Sequence, residues 1–267
     1  MPYFTTPDDC KIFYRIYRID TSKSVVIFLN GTTQTTMYWG SHVPTFSRRY
    51  GLLCYDARCQ GQSDPGSAPI SLQLHVSDLY HLLAYLAIDK VHLVGISHGA
   101  RVALEFAAEF SRMVEKLVLC SISARTSERC MAFVRSWLEI LSQSDLRAMA
   151  WAAVPAVFGN RFLKHHQKTL DKIVNAVVLR NSKTSLLAQL DAALRYPQSE
   201  SIPPDFDIPT LIVTGSEDPL IDSDDVRRLA DLCKARHVQL DGIGHSVPAE
   251  APELFEQMVF EFLKDLG

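Results

Sequence analysis

The chain has 267 residues, of which 47% are hydrophobic and 21% charged, and its net charge is −3. These values argue for a folded globular protein and against a disordered one. Because the charge is near neutral and no basic stripe stands out, we expect no nucleic-acid partner.

The same sequence predicts a cytoplasmic protein without a membrane span. No apolar run approaches the roughly 18 residues that a spanning helix needs. The first residues lack the basic and apolar regions of a secretory signal. The six cysteines show no Cys-x-x-Cys spacing, and several lie in or beside apolar runs. This pattern favours free, mostly buried thiols in a reducing compartment.

The first half of the chain predicts strands that alternate with helices. Apolar or alternating runs predict strands at 11–18, 25–29, 51–55, 91–96 and 114–120. Helical spacing of apolar residues predicts helices at 72–87 and 100–110. The segment 59–71 is rich in glycine, proline, serine and glutamine, which is typical of a surface loop.

From residue 123 to residue 196 the pattern is helical throughout. The predicted helices there are 131–141, 145–158, 162–180 and 185–195. After Pro203 and Pro204 the alternation resumes, with strands at 210–213 and 237–240 and helices at 224–233 and 252–266.

This order of elements predicts an α/β fold, a mostly parallel sheet with helices on both faces. The helical stretch predicts an inserted cap over the carboxyl edge of the sheet, where open α/β sheets bind ligands. The predicted division is a first part of the core at 1–122, a cap at 123–196 and a second part of the core at 197–267.

The sequence Gly-Ile-Ser-His-Gly at 95–99 joins a predicted strand to a predicted helix. A serine on such a tight turn projects its hydroxyl out of the backbone, and glycines are needed because strand and helix nearly touch. Ser97 is therefore the candidate nucleophile. Asp56 is excluded from that role because serine occupies the turn.

A serine nucleophile needs a base, and the base needs an acid that holds its tautomer. Two loops that follow predicted strands supply them. Asp218 lies three residues after Gly215, and His245 lies in a glycine-rich turn. Other carboxylates near Asp218 are alternatives, although the later ones are expected to begin the next helix: Glu217, Asp222, Asp224 and Asp225.

Two backbone N–H groups are candidates for stabilising an oxyanion. His98 follows the candidate nucleophile at a helix N-terminus, where free N–H groups and the helix dipole favour negative charge. Thr32 lies in the loop after the predicted strand 25–29, which supplies the second donor in this type of site.

On these residues the chain resembles the α/β-hydrolase superfamily over essentially its whole length. The matching segments are 30–31, 56–63, 95–99, 215–218 and 244–245. The resemblance implies a catalytic triad of Ser97, Asp218 and His245, with Thr32 and His98 as oxyanion donors and with no cofactor or metal. Two residues depart from the family pattern and can alter the mouth of the pocket: Asn30 in place of the usual histidine, and Cys59 in place of the usual glycine.

A narrower similarity concerns the segment 30–39 and the Gly-Gln-Ser sequence at 61–63. Both look like motifs of bacterial hydroxyacyl-ACP transferases and thioesterases that feed polyester and rhamnolipid synthesis. This similarity implies an acyl carrier protein as a possible partner, besides a small-molecule acyl substrate.

Three functions are therefore considered. The first is a serine hydrolase that cleaves a small ester, thioester or lactone through an acyl-enzyme. The second is an acyltransferase that moves an acyl group from a carrier thioester to an acceptor. The third is a non-catalytic ligand-binding protein of the same fold.

Other residues of the predicted cap carry open alternatives. His165 and His166 are adjacent on a helix, which favours a solvated polar face over a metal site. Five aromatic residues either line an apolar pocket or only hold the cap together: Phe133, Trp137, Trp151, Phe158 and Phe162.

Overall fold

In a computed structural model, which describes residues 2–18, 24–196, 202–203 and 205–264, the chain forms one mixed sheet of eight strands. The strands are β1 (Tyr3–Thr5), β2 (Lys11–Tyr17), β3 (Val25–Leu29), β4 (Gly51–Tyr55), β5 (Val91–Ile96), β6 (Val114–Cys120), β7 (Thr210–Gly215) and β8 (Arg236–Leu240). Their spatial order is β1-β2-β4-β3-β5-β6-β7-β8. The pairs β1–β2 and β2–β4 are antiparallel, and the other five are parallel. The predicted α/β fold is confirmed.

The central strands separate two apolar cores. In β3, Val25, Ile27 and Leu29 face one core, and Val26 and Phe28 face the other. A strand buried on both faces reads as a continuous apolar run, which is why its position was predictable.

Helices cover both faces. The helices of the sheet region are α1 (Val43–Phe46), α2 (Leu72–Tyr85), α3 (His98–Glu109), α9 (Ser223–Leu232), α10 (Val247–Glu250) and α11 (Pro252–Lys264). Residues of α2, α3 and α9 pack in one core, and residues of α1 and α11 pack in the other.

Five α-helices lie between β6 and β7 in the described part of this stretch. They are α4 (Glu128–Gln143), α5 (Leu146–Val157), α6 (Asn160–His166), α7 (Leu170–Arg180) and α8 (Lys183–Ala193). They have apolar clusters of their own, one around Leu141 and Leu186 and one around Val154 and Val174. The described residues between 123 and 196 contain no strand, as predicted, while the domain boundaries stay a prediction.

The predicted helix 162–180 is wrong in one respect, because the structure divides it into α6 and α7. A 3₁₀ turn at Gln167–Thr169 separates them. Residues 164–169 are all polar, so no apolar contact holds this stretch on a single helix axis. The short elements β1, α1 and α10 were not predicted, and neither were the 3₁₀ helices at Thr36–Ser41 and Ser111–Met113. Pro204 and the predicted helix end at 265–266 lie outside the described residues.

The sheet order brings the candidate site residues to one edge. The strands β3, β5, β7 and β8 run parallel, so their carboxyl ends meet on the same side of the sheet. Thr32, Ser97, Asp218 and His245 each follow one of these strands.

Candidate active site

Ser97 occupies a strained turn between β5 and α3. Its φ is 54° and its ψ is −118°, a backbone conformation that non-glycine residues rarely adopt and that clusters at functional sites. A Cβ on Gly95 would lie 2.5 Å from the carbonyl oxygen of Gly99, and one on Gly99 would lie 2.4 Å from that of Leu29. Both glycines are therefore required by close backbone packing, as the sequence pattern predicts.

Asp218 and His245 form a buried hydrogen-bonded pair. His245 Nδ1 donates to Asp218 Oδ2 over 2.7 Å, and the Asp218 side chain is 0% exposed. Asp218 Oδ1 accepts the backbone N–H of Leu220 over 2.9 Å. Because Nδ1 carries the proton, neutral His245 keeps Nε2 as an acceptor, which a general base requires.

Two of the alternative carboxylates, Glu217 and Asp222, have other partners. Glu217 accepts the backbone N–H of Asn160 at the start of α6 over 2.6 Å. Asp222 caps α9 by accepting the N–H groups of Asp224 and Asp225. Asp218 is thus the carboxylate that contacts His245.

Four of the five candidate residues, all except Asp218, line one cavity of about 130 Å³, called here the Ser97 cavity. Its walls include Ser97, His245, Thr32 and His98. Among the described residues, no hydrogen bond joins the Ser97 hydroxyl to His245. Catalytic hydrogen bonds often tighten only when substrate is bound, and the roles of these residues stay a prediction.

Buried polar contacts fix the loop that carries Thr32. Gln60 Nε2 donates to the carbonyl of Gly31 over 3.0 Å. Asn30 donates to the carbonyl of Tyr55 over 2.8 Å and accepts from Trp39 Nε1 over 2.9 Å. Asn30 is therefore a buried anchor of this loop.

Neither family departure lines the Ser97 cavity, so an effect on the mouth of this pocket would be indirect and stays a prediction. Asn30 is 3% exposed and faces the buried contacts just described. Cys59 is 2% exposed and has a φ of 67°. A positive φ suits glycine, which explains why glycine is usual at this position.

The side chain of His98, to which the sequence assigned no role, lies between two other side chains. Its Nε2 is 3.2 Å from the hydroxyl of Tyr196, and its ring packs edge-on against His75 at 4.8 Å. Burial lowers the pKa of His98 to about 4, so the ring is neutral at pH 7. Tyr196 also lines the Ser97 cavity, and His98 thereby links the tight turn to the end of the helical segment.

Glu250 is a further residue that sequence reasoning missed. Its carboxylate accepts backbone N–H groups from Gly159 over 2.9 Å, from Gly244 over 3.1 Å and from Ser246 over 3.3 Å. Burial raises the pKa of Glu250, and these bonds oppose that rise. Gly244 and Ser246 flank His245, so one carboxylate ties the His245 loop to the start of α6.

Of the five aromatic residues of the predicted cap, three line one of two cavities and two do not. Trp137 lines the Ser97 cavity, while Phe158 and Phe162 stack at 4.5 Å and line a second cavity. Phe133 packs in the Leu141 cluster, and Trp151 is 37% exposed.

The adjacent histidines of α6 and the cysteines show no sign of a metal site in the described residues. The Nδ1 atoms of His165 and His166 bond to carbonyls four residues earlier. Within the described ranges no group of three potential metal ligands is found. All six cysteines are free, and five are buried. No helix in the described part of the chain has the length and apolar character to cross a membrane.

The family model described as "alpha/beta hydrolase fold" matches residues 24–252. The chain belongs to the α/β-hydrolase family. It is 25% identical over 253 residues to a protein named putative carbamate hydrolase RutD from Agrobacterium fabrum, covering 92% of this chain and 95% of the relative. It is 22% identical to 3-oxoadipate enol-lactonase 2 from Acinetobacter baylyi, covering 97% of this chain and 95% of that one.

Solved structures agree with this membership. The crystal structure of MGS-M2, an α/β-hydrolase enzyme from a Medee basin deep-sea metagenome library, superposes with a TM-score of 0.92. The two sequences are 27% identical, and the match covers 100% of this chain and 98% of the other. Family membership and the named hydrolases among the relatives support an enzyme.

Proposed function

We propose that this α/β hydrolase is a serine hydrolase that cleaves a small carboxylic ester, thioester or lactone through an acyl-enzyme. The observation that carries the proposal is the buried 2.7 Å bond between His245 Nδ1 and Asp218 Oδ2, in a site where His245 lines one cavity with the strained Ser97. The relatives named as a carbamate hydrolase and an enol-lactonase support a small carbonyl substrate.

In the first half of the proposed reaction, His245 Nε2 removes the Ser97 proton as the Ser97 oxygen attacks the carbonyl carbon. The N–H groups of Thr32 and His98 stabilise the oxyanion, where one such donor contributes about 10² to 10³ in rate. The imidazolium of His245 then protonates the leaving oxygen or sulfur as its bond to the acyl carbon breaks.

In the second half, His245 takes a proton from water as the water oxygen attacks the acyl-enzyme. The bond to the Ser97 oxygen breaks, the serine regains its proton from His245, and the carboxylic acid leaves. Asp218 holds the imidazole in the required tautomer and stabilises its cationic form throughout.

The proposal is tested by covalent labelling. A fluorophosphonate probe reacts with an activated serine, and mass spectrometry of the digested adduct is expected to locate it on Ser97. The protein is also expected to hydrolyse p-nitrophenyl acetate. Labelling of another serine, or esterase activity that persists after complete labelling of Ser97, would contradict the mechanism. A protein that neither labels nor hydrolyses would support a non-catalytic ligand-binding role.

Glu250→Gln is expected to weaken both stability and catalysis. The neutral amide no longer gives the N–H groups of Gly244, Ser246 and Gly159 a charged acceptor. Hydrogen bonds to a charged group contribute about 1.5 to 3 kcal/mol to stability. We expect the free energy of unfolding in urea to fall by about 2 kcal/mol. The kcat for p-nitrophenyl acetate should fall about tenfold, because the His245 loop is held less firmly.

Glu253→Gln provides the control, since Glu253 is an exposed glutamate three residues further along. Its removal is expected to change stability and activity little. Equal behaviour of the two variants in urea unfolding and in kcat would show that Glu250 does not position His245.

A further inference from the structure

A second cavity of about 280 Å³ lies beside the Ser97 cavity. Its lining residues come from α5, α6 and α7, from the loop after β3, and from the start of α10. We call it the apolar chamber, and its walls include Tyr38, Ala153, Val157, Phe158, Val174 and Val177.

The chamber is contiguous with the candidate catalytic loops. Thr32 lines the Ser97 cavity and Thr33 lines the chamber. In the same way His245 lines the Ser97 cavity and Ser246 lines the chamber. The two cavities share no lining residue, but two pairs of consecutive residues connect their walls, so the chamber is a neighbour of the site at which Ser97 would react.

The walls of the chamber offer little to a polar ligand. The hydroxyls of Tyr38 and Ser246 bond to each other over 3.0 Å. Within the described residues, no buried side-chain polar atom of the walls lacks a hydrogen-bond partner. The charged residue among the lining residues is Arg180, which is exposed, so the chamber opens to solvent there.

The size of the chamber limits its occupant. An apolar cavity of roughly 150 Å³ stays dry and is large enough to bind benzene, so 280 Å³ fits a hydrocarbon group of about ten carbons. Pockets for whole drug-sized ligands begin at roughly 300 Å³. The chamber is therefore large enough for the hydrocarbon part of a small ester and smaller than the pockets typical of whole drug-sized ligands.

We propose that the apolar chamber binds the hydrocarbon group of the substrate whose carbonyl reacts at Ser97. The inference rests on the proposed hydrolase function and gives it a substrate class, medium-chain or aryl esters and thioesters. The hydrocarbon group belongs either to the acyl part or to the leaving alcohol or thiol. In both cases the chamber recognises an apolar group.

Two substrate series distinguish these sources. The first consists of p-nitrophenyl esters from acetate to octanoate, and the second of acetate esters from ethanol to octanol. The series that enters the chamber is expected to show kcat/KM rising by up to about fourfold per added methylene. The other series is expected to show little dependence on length.

The variant Ala153→Phe is designed to fill the chamber from α5. We expect it to lower the ratio of kcat/KM for the longest to the shortest ester by at least about tenfold, because a benzene-sized ring takes about half of the volume. The loss should be smallest for the shortest ester, whose hydrocarbon group fills the least of the chamber. Ala176→Leu narrows the same chamber from α7 with a smaller side chain, and should act in the same direction if Ala153→Phe misfolds.

Ala152→Phe is the matched control. Ala152 is the preceding residue of α5 and is also half-buried, and both alanines pack against the Leu141 cluster, but Ala152 does not line the chamber. It is expected to leave the length dependence unchanged. Flat kcat/KM in both series, or equal length profiles for the two phenylalanine variants, would overturn the inference while Ser97-dependent acetate hydrolysis still supports the function. Loss of Ser97-dependent activity on every ester would overturn the proposed function and this inference together.

Discussion

Ser97→Ala is expected to lower kcat/KM for p-nitrophenyl acetate by roughly 10⁴ to 10⁶, the range seen when single members of a serine triad are removed. Alanine cannot form the acyl-enzyme, so water must attack directly. The oxyanion donors at Thr32 and His98 and the walls of the Ser97 cavity are unchanged, which leaves residual catalysis. The free energy of unfolding should change little, since the substitution deletes one oxygen atom without altering the backbone requirement of the turn.

Ser123→Ala is the control, because it removes the hydroxyl of another serine that lines the same cavity. Ser123 also lines the Ser97 cavity, but its hydroxyl donates to the carbonyl of Arg125 over 2.7 Å. We expect kcat/KM to fall less than about tenfold in this variant, because one neutral hydrogen bond contributes about 1 kcal/mol. Steady-state hydrolysis and urea unfolding of both variants measure the contrast. Similar activity of Ser97→Ala and wild type would exclude the acyl-enzyme mechanism.

Much of the sheet was predictable because its signals are local. The strands β3, β5 and β6 match the predicted bounds, since runs of apolar residues buried on both faces leave a continuous pattern in the sequence. The tight turn at Ser97 was predictable for the same reason, since the glycines that it requires lie two residues on either side.

Contacts between distant parts of the chain were not predictable. Glu250 contacts Gly159, 91 residues earlier in the chain, and a glutamate in a short helix carries no sequence signal of such a role. Tyr196 reaches His98 across the site in the same way. The choice between Glu217 and Asp218 also depended on tertiary structure, because consecutive loop carboxylates bind different partners: Asn160 in one case and His245 in the other.

The segment 56–63, which resembles the family motif, forms contacts that hold a neighbouring loop of the site. Its resemblance to the family was recognised from residue types alone, while the structure explains the residues physically. Asp56 accepts the backbone N–H of Thr36 over 2.6 Å, and Gln60 binds the carbonyl of Gly31. These contacts hold the loop that carries Thr32, so this segment supports the site without lining the Ser97 cavity.

Arg58 of this same segment is the basis of the prediction with the largest expected effect on stability. Its side chain is 0% exposed. It binds Asp78 through Nε over 2.9 Å and Nη2 over 2.8 Å, and it binds Asp8 through Nη1 over 2.9 Å and Nη2 over 2.8 Å. The hydrogen bonds from Arg58 are the main reason why the pKa of Asp8 is lowered to about 2.

Arg58→Met is expected to lower the free energy of unfolding by about 3 to 5 kcal/mol, the cost of leaving a buried charge without its partner. The Asp78 side chain is only 5% exposed, and burial raises its pKa while Arg58 opposes that rise. Without Arg58, Asp78 either stays ionised at a large desolvation cost or takes up a proton. The segment that holds Gly31 is then less firmly fixed, so kcat/KM should fall as well.

Two further variants test whether the unpaired charge of Asp78 causes the loss of stability in Arg58→Met. Arg147→Met removes a partner from the exposed Arg147–Asp171 pair, and such a pair contributes about 1 kcal/mol or less. Adding Asp78→Leu to Arg58→Met removes both buried charges, and it should restore much of the lost stability, because apolar replacements of buried ion pairs are often neutral. Urea unfolding at pH 7 measures all three.

The pH dependence of the stability lost in Arg58→Met tests independently whether an unpaired Asp78 carboxylate is the cause. In Arg58→Met the pKa of Asp78 is expected to rise further, because burial is no longer opposed by the guanidinium. A carboxyl with a raised pKa in the folded state favours folding when protonated, so the deficit relative to wild type should shrink as the pH falls towards the unfolded value of about 4. A deficit that stays constant from pH 7 to pH 4.5 would mean that lost packing of the long Arg58 side chain, and not an unpaired carboxylate, destabilises the variant.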